Sequence, residues 1–373
     1  MARTWHRLGV IATAVAIIAA AGVWYADPQL PLLPGQPTAA QPSALNAPFS
    51  VTYEFLTPGL GWALVVDYSA LTTRFFVFHT IDGGNTWEKQ YVGKARGDRP
   101  YLHFYDAEHG FAYAGYSYRT LDGGAHWRAI RVPDSQPYVA FATPVDGWSQ
   151  SFKTGSPRIY RTRDGGMHWL EDGAGPPASE SVRVVVEPQT STFDGDCNGW
   201  FGAASVNFPA VYATADCGEN WQPISLLTAV NVDYEAHYQT APRMVPGNSV
   251  MTFVSDDSGH VLAAFISSDA GVHWRGVSFP AALTAPENIS FLDAGHWWIV
   301  AGGSIYATDS AGRAWTRLEA SGIPAGWSFV AGKTVDALHA WGIVSPDARP
   351  QVSALAATSD GGLHWMMQTS PRP

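Results

Sequence analysis

The sequence contains two nearly identical octapeptides, TLDGGAHW at residues 120–127 and TRDGGMHW at residues 162–169. The shared pattern S/T-x-D-x-G-x-x-W recurs at 80–87, 214–221, 267–274 and 358–365, and a variant with serine in place of aspartate stands at 308–315. The seven tryptophans are 40 to 53 residues apart, at positions 87, 127, 169, 221, 274, 315 and 365. This interval is typical of a four-stranded propeller blade, so the repeat predicts a seven-bladed β-propeller.

Composition agrees with an all-β chain. Of the 373 residues, 13% are aromatic and 14% charged, with 37 glycines and 26 prolines. A ring of repeats forms one domain however long it is, so the length does not require a second domain. The formal net charge of -10 argues against a general phosphate-binding surface, and nucleic acid is not predicted as a partner.

The first 49 residues differ from the rest. Arg3 and Arg7 precede an uncharged, mostly apolar run, Leu8 to Ala26, which predicts a helix that directs the following chain across a membrane. The run fits an uncleaved signal anchor better than a cleaved signal peptide, but both remain open. We therefore expect three parts: a signal segment (1–26), a Pro/Ala-rich linker (27–49) and an extracytoplasmic propeller (50–370), secreted, periplasmic or lumenal if the signal is cleaved.

A second signal stands upstream of each box. Stretches such as FLTPGLGWAL (55–64) and FLDAGHWWIVAG (291–302) predict a strand, a turn with Gly and a second strand, and FVSDDSGHVLAAF (253–265) is interpreted in the same way in the fifth repeat. The third strand leads into the box and the fourth follows the box Trp. The predicted fold class is therefore all-β, with four antiparallel strands per blade.

The box aspartate is predicted to be structural rather than catalytic. A carboxylate in the turn between strands three and four can accept hydrogen bonds from backbone N–H groups and from the Ser/Thr two residues earlier. Loss of the carboxylate in one repeat is easier to accommodate in a structural turn than in an active site. The residues concerned are Asp82, Asp122, Asp164, Asp216, Asp269 and Asp360, with Ser310 in the sixth box.

The boxes and the strands before them, as in RIYRT leading into RDGGMHW, resemble the Asp-box or bacterial neuraminidase repeat propellers over about residues 50–370. Within that group the chain is most similar to the photosystem II assembly and stability factor family of single seven-bladed propellers. The resemblance implies a non-enzymatic propeller of photosynthesis on the lumenal side, which holds membrane-protein assembly intermediates and carries a basic patch. Sialidases of the group have an N-terminal Arg-Ile-Pro signature that this sequence lacks. A glycan-binding or sialidase-like glycoside hydrolase propeller remains the alternative.

Two connections are candidates for binding a protein or peptide partner. The longest predicted link between blades, residues 226–248, offers Tyr234, Glu235, His237, Tyr238 and Arg243. It is interpreted either as a partner-binding element or as a covering loop or extra hairpin. The link between blades one and two, VGKARGDRPYL (92–102), contains a small basic cluster that Arg74 could join: Lys94, Arg96 and Arg99. This cluster is interpreted either as a site for a carboxylate or an acidic tail of a partner, or as ordinary solvated charge.

No cofactor or metal site is predicted. DGDCNG (194–199) begins like a calcium loop, but the twelfth position is Ser205 rather than Glu. Cys197 and Cys217 are expected to form a disulfide, because they fall in two turns at the same end of the fourth blade.

Overall fold

The structure, a computed structural model, describes residues 49–372 apart from several gaps. The gaps are 69–71, 97–99, 134–138, 152–157, 175, 177–181, 185–190, 194–197, 207, 217–218, 227–236, 248, 257–259, 270, 284–287 and 349–351. The predicted membrane segment, most of the linker and both cysteines lie outside the described residues. Within the described part, no helix is long and apolar enough to cross a membrane.

The first three groups of strands are separate four-stranded antiparallel sheets. The first contains β1 (Phe49–Phe55), β2 (Gly61–Asp67), β3 (Arg74–Thr80) and β4 (Glu88–Lys94). The second contains β5 (Tyr101–Phe104), β6 (Gly110–Tyr113), β7 (Ser117–Thr120) and β8 (Arg128–Ala129). The third contains β9 (Val139–Phe141), β10 (Gly147–Ser151), β11 (Arg158–Thr162) and β12 (Leu170–Ala174).

The fourth and fifth groups are joined in one nine-stranded sheet. The fourth contains β14 (Ser191–Phe193), β15 (Gly199–Val206), β16 (Ala210–Thr214) and β17 (Gln222–Ser225), with β13 (Val182–Val184) against the second half of β15. The fifth contains β18 (His237–Val245), β19 (Ser249–Ser255), β20 (Val261–Ser267) and β21 (Arg275–Val277). The sheet is continuous because the end of β15 pairs with the start of β18, from Ala204 opposite Gln239 to Val206 opposite His237.

The sixth and seventh groups are again separate four-stranded antiparallel sheets. The sixth contains β22 (Ile289–Phe291), β23 (Trp297–Ala301), β24 (Ser304–Thr308) and β25 (Thr316–Arg317). The seventh contains β26 (Trp327–Thr334), β27 (Ala340–Pro346), β28 (Ala354–Thr358) and β29 (Trp365–Met367). The predicted all-β class is confirmed, and five of the seven groups are separate four-stranded antiparallel sheets as predicted.

Burial explains why the strands have such different sequences. All seven residues of β2, GWALVVD, are buried because apolar side chains pack against both faces of this sheet. A strand covered on both faces has a nearly continuous apolar sequence rather than an alternating one. The outer strand β4, EKQYVGK, is exposed or half-buried throughout and is correspondingly polar.

Consecutive groups pack face to face through aromatic side chains. Trp62 of the first group stacks on Phe104 of the second, with ring centroids 3.6 Å apart. Trp341 of the seventh group stacks in the same manner on Phe55 of the first, at 3.9 Å. The last group of the chain therefore packs against the first.

The structure corrects the assignment of the fifth repeat. Residues 253–265 do not contain the turn between its first and second strands, because β19 is the second strand and the turn after it leads into β20, the third. The first strand is β18, in the stretch that was predicted to be a link. This long strand bonds to both β15 and β19, which extends the sheet.

Candidate functional site

All seven boxes lie in the turns between the third and fourth strands of their groups. In the third group, the Thr162 hydroxyl donates to Asp164 Oδ1 at 2.9 Å, and the backbone N–H groups of Met167 and His168 donate to the same oxygen at 2.9 Å each. Partial burial acts to raise the pKa of Asp164, but these hydrogen bonds and one from the His168 ring outweigh it and lower the pKa to about 2. The carboxylate is therefore ionised at neutral pH, and each of its two oxygens has a hydrogen-bond partner within its own turn.

The same hydroxyl-to-carboxylate hydrogen bond recurs in the other boxes that carry aspartate. Its length lies between 2.7 and 2.9 Å in each of them, at Asp82, Asp122, Asp216, Asp269 and Asp360. The pKa of each of these aspartates is lowered by hydrogen bonds within the turn. No substrate is needed to account for these carboxylates.

The sixth box shows how serine replaces the aspartate. Ser310 Oγ accepts a hydrogen bond from the Ala314 backbone N–H at 3.1 Å and lies 3.2 Å from Thr308 Oγ1. The next residue, Ala311, has φ of 54°, where the corresponding glycine of the third box, Gly165, has 68°. This turn keeps the shape of the others with fewer acceptors and with an alanine in the left-handed region.

Histidine side chains accompany many of these carboxylates. In four boxes the residue before the Trp is a histidine whose Nδ1 lies 2.5 to 2.7 Å from the box aspartate: His126, His168, His273 and His364. A second set pairs at 2.8 to 2.9 Å in the turns between first and second strands: Asp106 with His109, Asp293 with His296, and Asp336 with His339. Among the described residues, no group of three or more His, Cys, Asp or Glu side chains could hold a metal ion.

The opposite end carries the predicted basic cluster. Arg74, the first residue of β3, lies directly opposite Lys94, the last residue of β4, and both are exposed. Arg96, also exposed, follows two residues later, where its backbone N–H donates to the Ala114 carbonyl at 2.6 Å. Three of the four predicted cations are therefore close along one edge of the first group, and Arg99 lies outside the described residues.

The candidates in the long predicted link are not gathered on a surface loop. Tyr234 and Glu235 lie outside the described residues, and His237 is exposed at the start of β18. Tyr238 is buried against Leu226 and Phe265, so its side chain is unavailable to a partner. Arg243 is also buried, with its guanidinium 5.8 Å from the centre of the Phe253 ring. The segment that holds these two residues is the first strand of the fifth group rather than part of a link between blades.

A buried charged cluster connects the first strands of three groups. The Lys333 ammonium lies 2.6 Å from Glu54 Oε1, and His103 Nδ1 lies 3.2 Å from the same oxygen. Burial acts to raise the pKa of Glu54, but Lys333 and His103 outweigh it, so the pKa is lower than that of an ordinary glutamate. His103 Nε2 is buried without a hydrogen-bond partner in the described structure. This cluster holds one carboxylate ionised between the seventh, first and second groups.

Strand register shows why these residues meet. In each group, one residue of the second strand lies directly opposite the Ser or Thr that opens the box, as Gly61 lies opposite Thr80. The following residue of the second strand, here Trp62, pairs with a residue of the first strand, here Glu54. We call the seven first-strand residues the inner positions; they are Glu54, His103, Ala140, Thr192, Arg243, Ser290 and Lys333.

Sequence analysis missed this cluster because its members are about 50 to 280 residues apart. A usable signal exists, since Glu54 and Lys333 are single charges inside apolar strands, each just before the last residue of the strand. Burial and the Glu54 charge raise the pKa of Tyr101, while Arg243 acts in the opposite direction. Arg243, from the fifth group, therefore acts electrostatically on the second group.

Comparison with known proteins places the chain by fold. No protein-family model matches the sequence, and no curated protein matches it. Similar solved structures include "YCF48 bound to D1 peptide", with 16% identity over 92% of this chain and 100% of that chain and a TM-score of 0.44. An ancestral GH74 enzyme is 12% identical over 85% of this chain and 47% of that chain, with a TM-score of 0.46.

A puromycin-hydrolyzing peptidase from Mycobacterium tuberculosis is 13% identical over 87% of this chain and 57% of that chain, with a TM-score of 0.52. At such identities the likeness is one of fold and not of activity. The all-β sheets of the described residues agree with the resemblance to propeller proteins that the repeats predict.

Proposed function

We propose that the chain is a seven-bladed β-propeller that binds a protein or peptide partner outside the cytoplasm, tethered to the membrane by residues 8–26. A closed ring is supported by the stacking of Trp341 on Phe55, which joins the seventh group to the first as Trp62 and Phe104 join the first to the second. The tether rests on the apolar run and on the arginines before it. As in the resembling assembly-factor family, the partner would be a membrane-protein assembly intermediate.

The observation that carries the binding function is the juxtaposition of Arg74 and Lys94. Like charges directly opposite each other on paired strands are destabilising. Here they stand together, followed by Arg96, on a chain whose formal net charge is -10. Asp67 of β2, which lies opposite Arg74 on the other side, offsets part of this repulsion. An acidic segment or a terminal carboxylate of a partner would relieve the rest, and Arg74 can bind it with two hydrogen bonds.

The alternative, a glycan-active propeller, has less support at the inner positions. Glycoside hydrolysis generally requires two carboxyl groups about 5 to 9.5 Å apart. Glu54 is the only acid among the seven inner positions, and its carboxylate is already paired with Lys333 and His103. We therefore favour recognition of a protein or peptide over hydrolysis.

The test is binding of a fluorescently labelled decapeptide of alternating Glu and Gly to the full chain at low and high salt. Arg74→Gln/Lys94→Gln should weaken binding at least tenfold, and 0.5 M salt should weaken it further, because exposed charges are screened. Arg158→Gln is the matched control, since Arg158 is likewise the first residue of a third strand but is paired with Glu171 at 2.9 Å. Equal binding by the double variant and the control would refute the assignment.

A further inference from the structure

Exposed apolar side chains are concentrated at the end of the molecule that carries the boxes. Six of them, here called the apolar arc, have between 49% and 76% of their surface exposed: Ile81, Leu121, Val145, Met167, Leu338 and Leu363. Four lie in boxes, and Val145 and Leu338 lie in turns between first and second strands. Monomeric soluble proteins rarely expose large contiguous apolar patches, and such patches usually mark interaction sites.

The arc spans four consecutive groups, from the seventh through the first and second to the third. Hydrogen bonds between neighbouring groups hold the box turns together at this end. Trp341 Nε1 donates to the Gly83 carbonyl at 2.9 Å, and Trp62 Nε1 donates to the Gly123 carbonyl at 2.8 Å. Arg119 continues the series by donating to the Gly165 carbonyl at 3.0 Å. The six side chains therefore belong to one continuous edge.

The turns do not need these apolar residues in order to fold. In the fourth box, the positions of Ile81 and Met167 are occupied by Ala215 and Glu219. In the sixth box, they are occupied by Asp309 and Arg313, and all four replacements are exposed. The fifth box does have an exposed apolar residue, Val272, at the second of these positions. The apolar arc is therefore defined by the four consecutive groups whose turns all carry such residues.

Carboxylates accompany the arc and are here called its border. The side chains of Asp106, Asp122, Asp164, Asp336 and Asp360 are between 32% and 50% exposed at the same turns. Each of them also lies 2.5 to 2.9 Å from the Nδ1 atom of a histidine in its own turn. Of the arginines at these turns, Arg119 is engaged by backbone carbonyls, whereas Arg163 is exposed at the position that Ile81 has in the first box. An apolar surface within an anionic border is complementary to a ligand that combines apolar and cationic side chains.

We propose that the apolar arc and its carboxylate border bind a cationic amphipathic segment of a partner protein. Apolar side chains of the segment contact the arc, and its Lys or Arg side chains face the aspartates.

The negative charge of the border favours a cationic partner segment over a second copy of the chain, a membrane or the chain's own linker. The same face of a second copy, or an anionic membrane, would be repelled by the border of aspartates. The chain's own linker, residues 27–49, contains no Lys or Arg. This surface is separate from the basic cluster at Arg74 and Lys94, so it gives the molecule a second docking site with opposite charge preference.

The experiment measures binding of a labelled 14-residue amphipathic helix made only of Leu and Lys to the full chain. Ile81→Ser/Leu363→Ser should weaken binding at least tenfold. Val92→Ser/Leu262→Ser, which changes two apolar residues that are 46% and 49% exposed elsewhere, should stay within twofold of wild type. Melting temperatures of both variants confirm that they fold.

Two further peptides sharpen the result. A Leu/Lys peptide with the same composition in scrambled order and a Leu/Glu amphipathic helix should both bind much more weakly than the Leu/Lys helix. The proposal would be overturned if both serine variants lost the same amount of binding affinity, or if either control peptide bound as tightly as the Leu/Lys helix. Arg74→Gln/Lys94→Gln should leave binding of the Leu/Lys helix unchanged, which separates this site from the proposed basic one.

Discussion

The box aspartates and Glu54 are the same chemical group in two contrasting regions. Asp164 is 32% exposed and takes its hydrogen bonds from residues within four positions of itself. Glu54 is almost fully buried, and its partners His103 and Lys333 are 49 residues away in one case and 279 residues away in the other. Both carboxylates have a lowered pKa, but one is stabilised by its own turn and the other by the assembly of three groups.

The contrast distinguishes the stability of a single turn from the stability of the assembled groups. A turn that satisfies its own carboxylate can be lost in one repeat with limited effect, as Ser310 in the sixth box illustrates. A buried ion pair between groups has no such independence, because removing either partner leaves the other charged and desolvated. We therefore expect the free energy of unfolding to depend far more on the buried cluster of Glu54, His103 and Lys333, here called the inner cluster, than on any single box.

Replacing Lys333 by methionine should have the largest effect. The ammonium stands 2.6 Å from Glu54 in the interior, and its loss leaves a buried carboxylate beside His103 alone. Loss of one partner of a buried pair typically costs about 3 to 5 kcal/mol. Urea unfolding at pH 7, followed by tryptophan fluorescence, measures the difference between Lys333→Met and wild type.

A double variant tests whether the cost is that of an orphaned charge. Lys333→Met/Glu54→Gln removes both charges and should be more stable than Lys333→Met alone, because no unpaired carboxylate remains buried. If Lys333→Met unfolds at the same urea concentration as wild type, the inner cluster does not hold the three groups together.

Asp164→Ala should have a smaller, pH-dependent effect. The variant loses acceptors for several donors in a partly exposed turn, which corresponds to about 1 to 2 kcal/mol at neutral pH. The folded pKa of Asp164 is about 2, below the value of about 3.9 in an unfolded chain. The stabilisation is therefore complete above about pH 4 and disappears as the pH falls towards 2.

Melting temperatures of wild type and Asp164→Ala between pH 2 and pH 7 test this expectation. The two curves should differ at neutral pH and converge at the acidic end. Asp309→Ala, which removes an exposed carboxylate from the sixth box at a different position of the turn, is the control. A constant difference across the whole range would show that the carboxylate of Asp164 does not stabilise its turn as an anion.

The same contrast explains what could be predicted from the sequence. The boxes and most strands could be predicted because the hydrogen bonds of each turn join residues two to four positions apart. The inner cluster depends on which strands meet after the groups assemble. The sequence of the fifth repeat is misleading for two reasons. β18 reads HYQTAPRMV, which has polar residues and Pro242 in an interior strand. Asp256 and His260 resemble the Asp and His of the turns between first and second strands, although they lie between the second and third strands.

Ala311→Gly should have the smallest effect, and it should stabilise the protein. Ala311 has φ of 54°, a left-handed conformation that costs a non-glycine residue about 1 to 2 kcal/mol. Glycine removes this strain but loses more chain entropy on folding, which offsets about 0.5 to 1 kcal/mol. The expected net gain is therefore about 0.5 to 1 kcal/mol, visible as a small rise in melting temperature. Gly165→Ala is the reciprocal change, and it should destabilise by more. A Cβ there would lie 3.0 Å from the Pro144 carbonyl oxygen and 2.6 Å from Arg119 Nη1, which two hydrogen bonds hold in place. If Ala311→Gly lowers the melting temperature, the sixth turn is not strained, and its alanine is held by contacts rather than tolerated by the repeat.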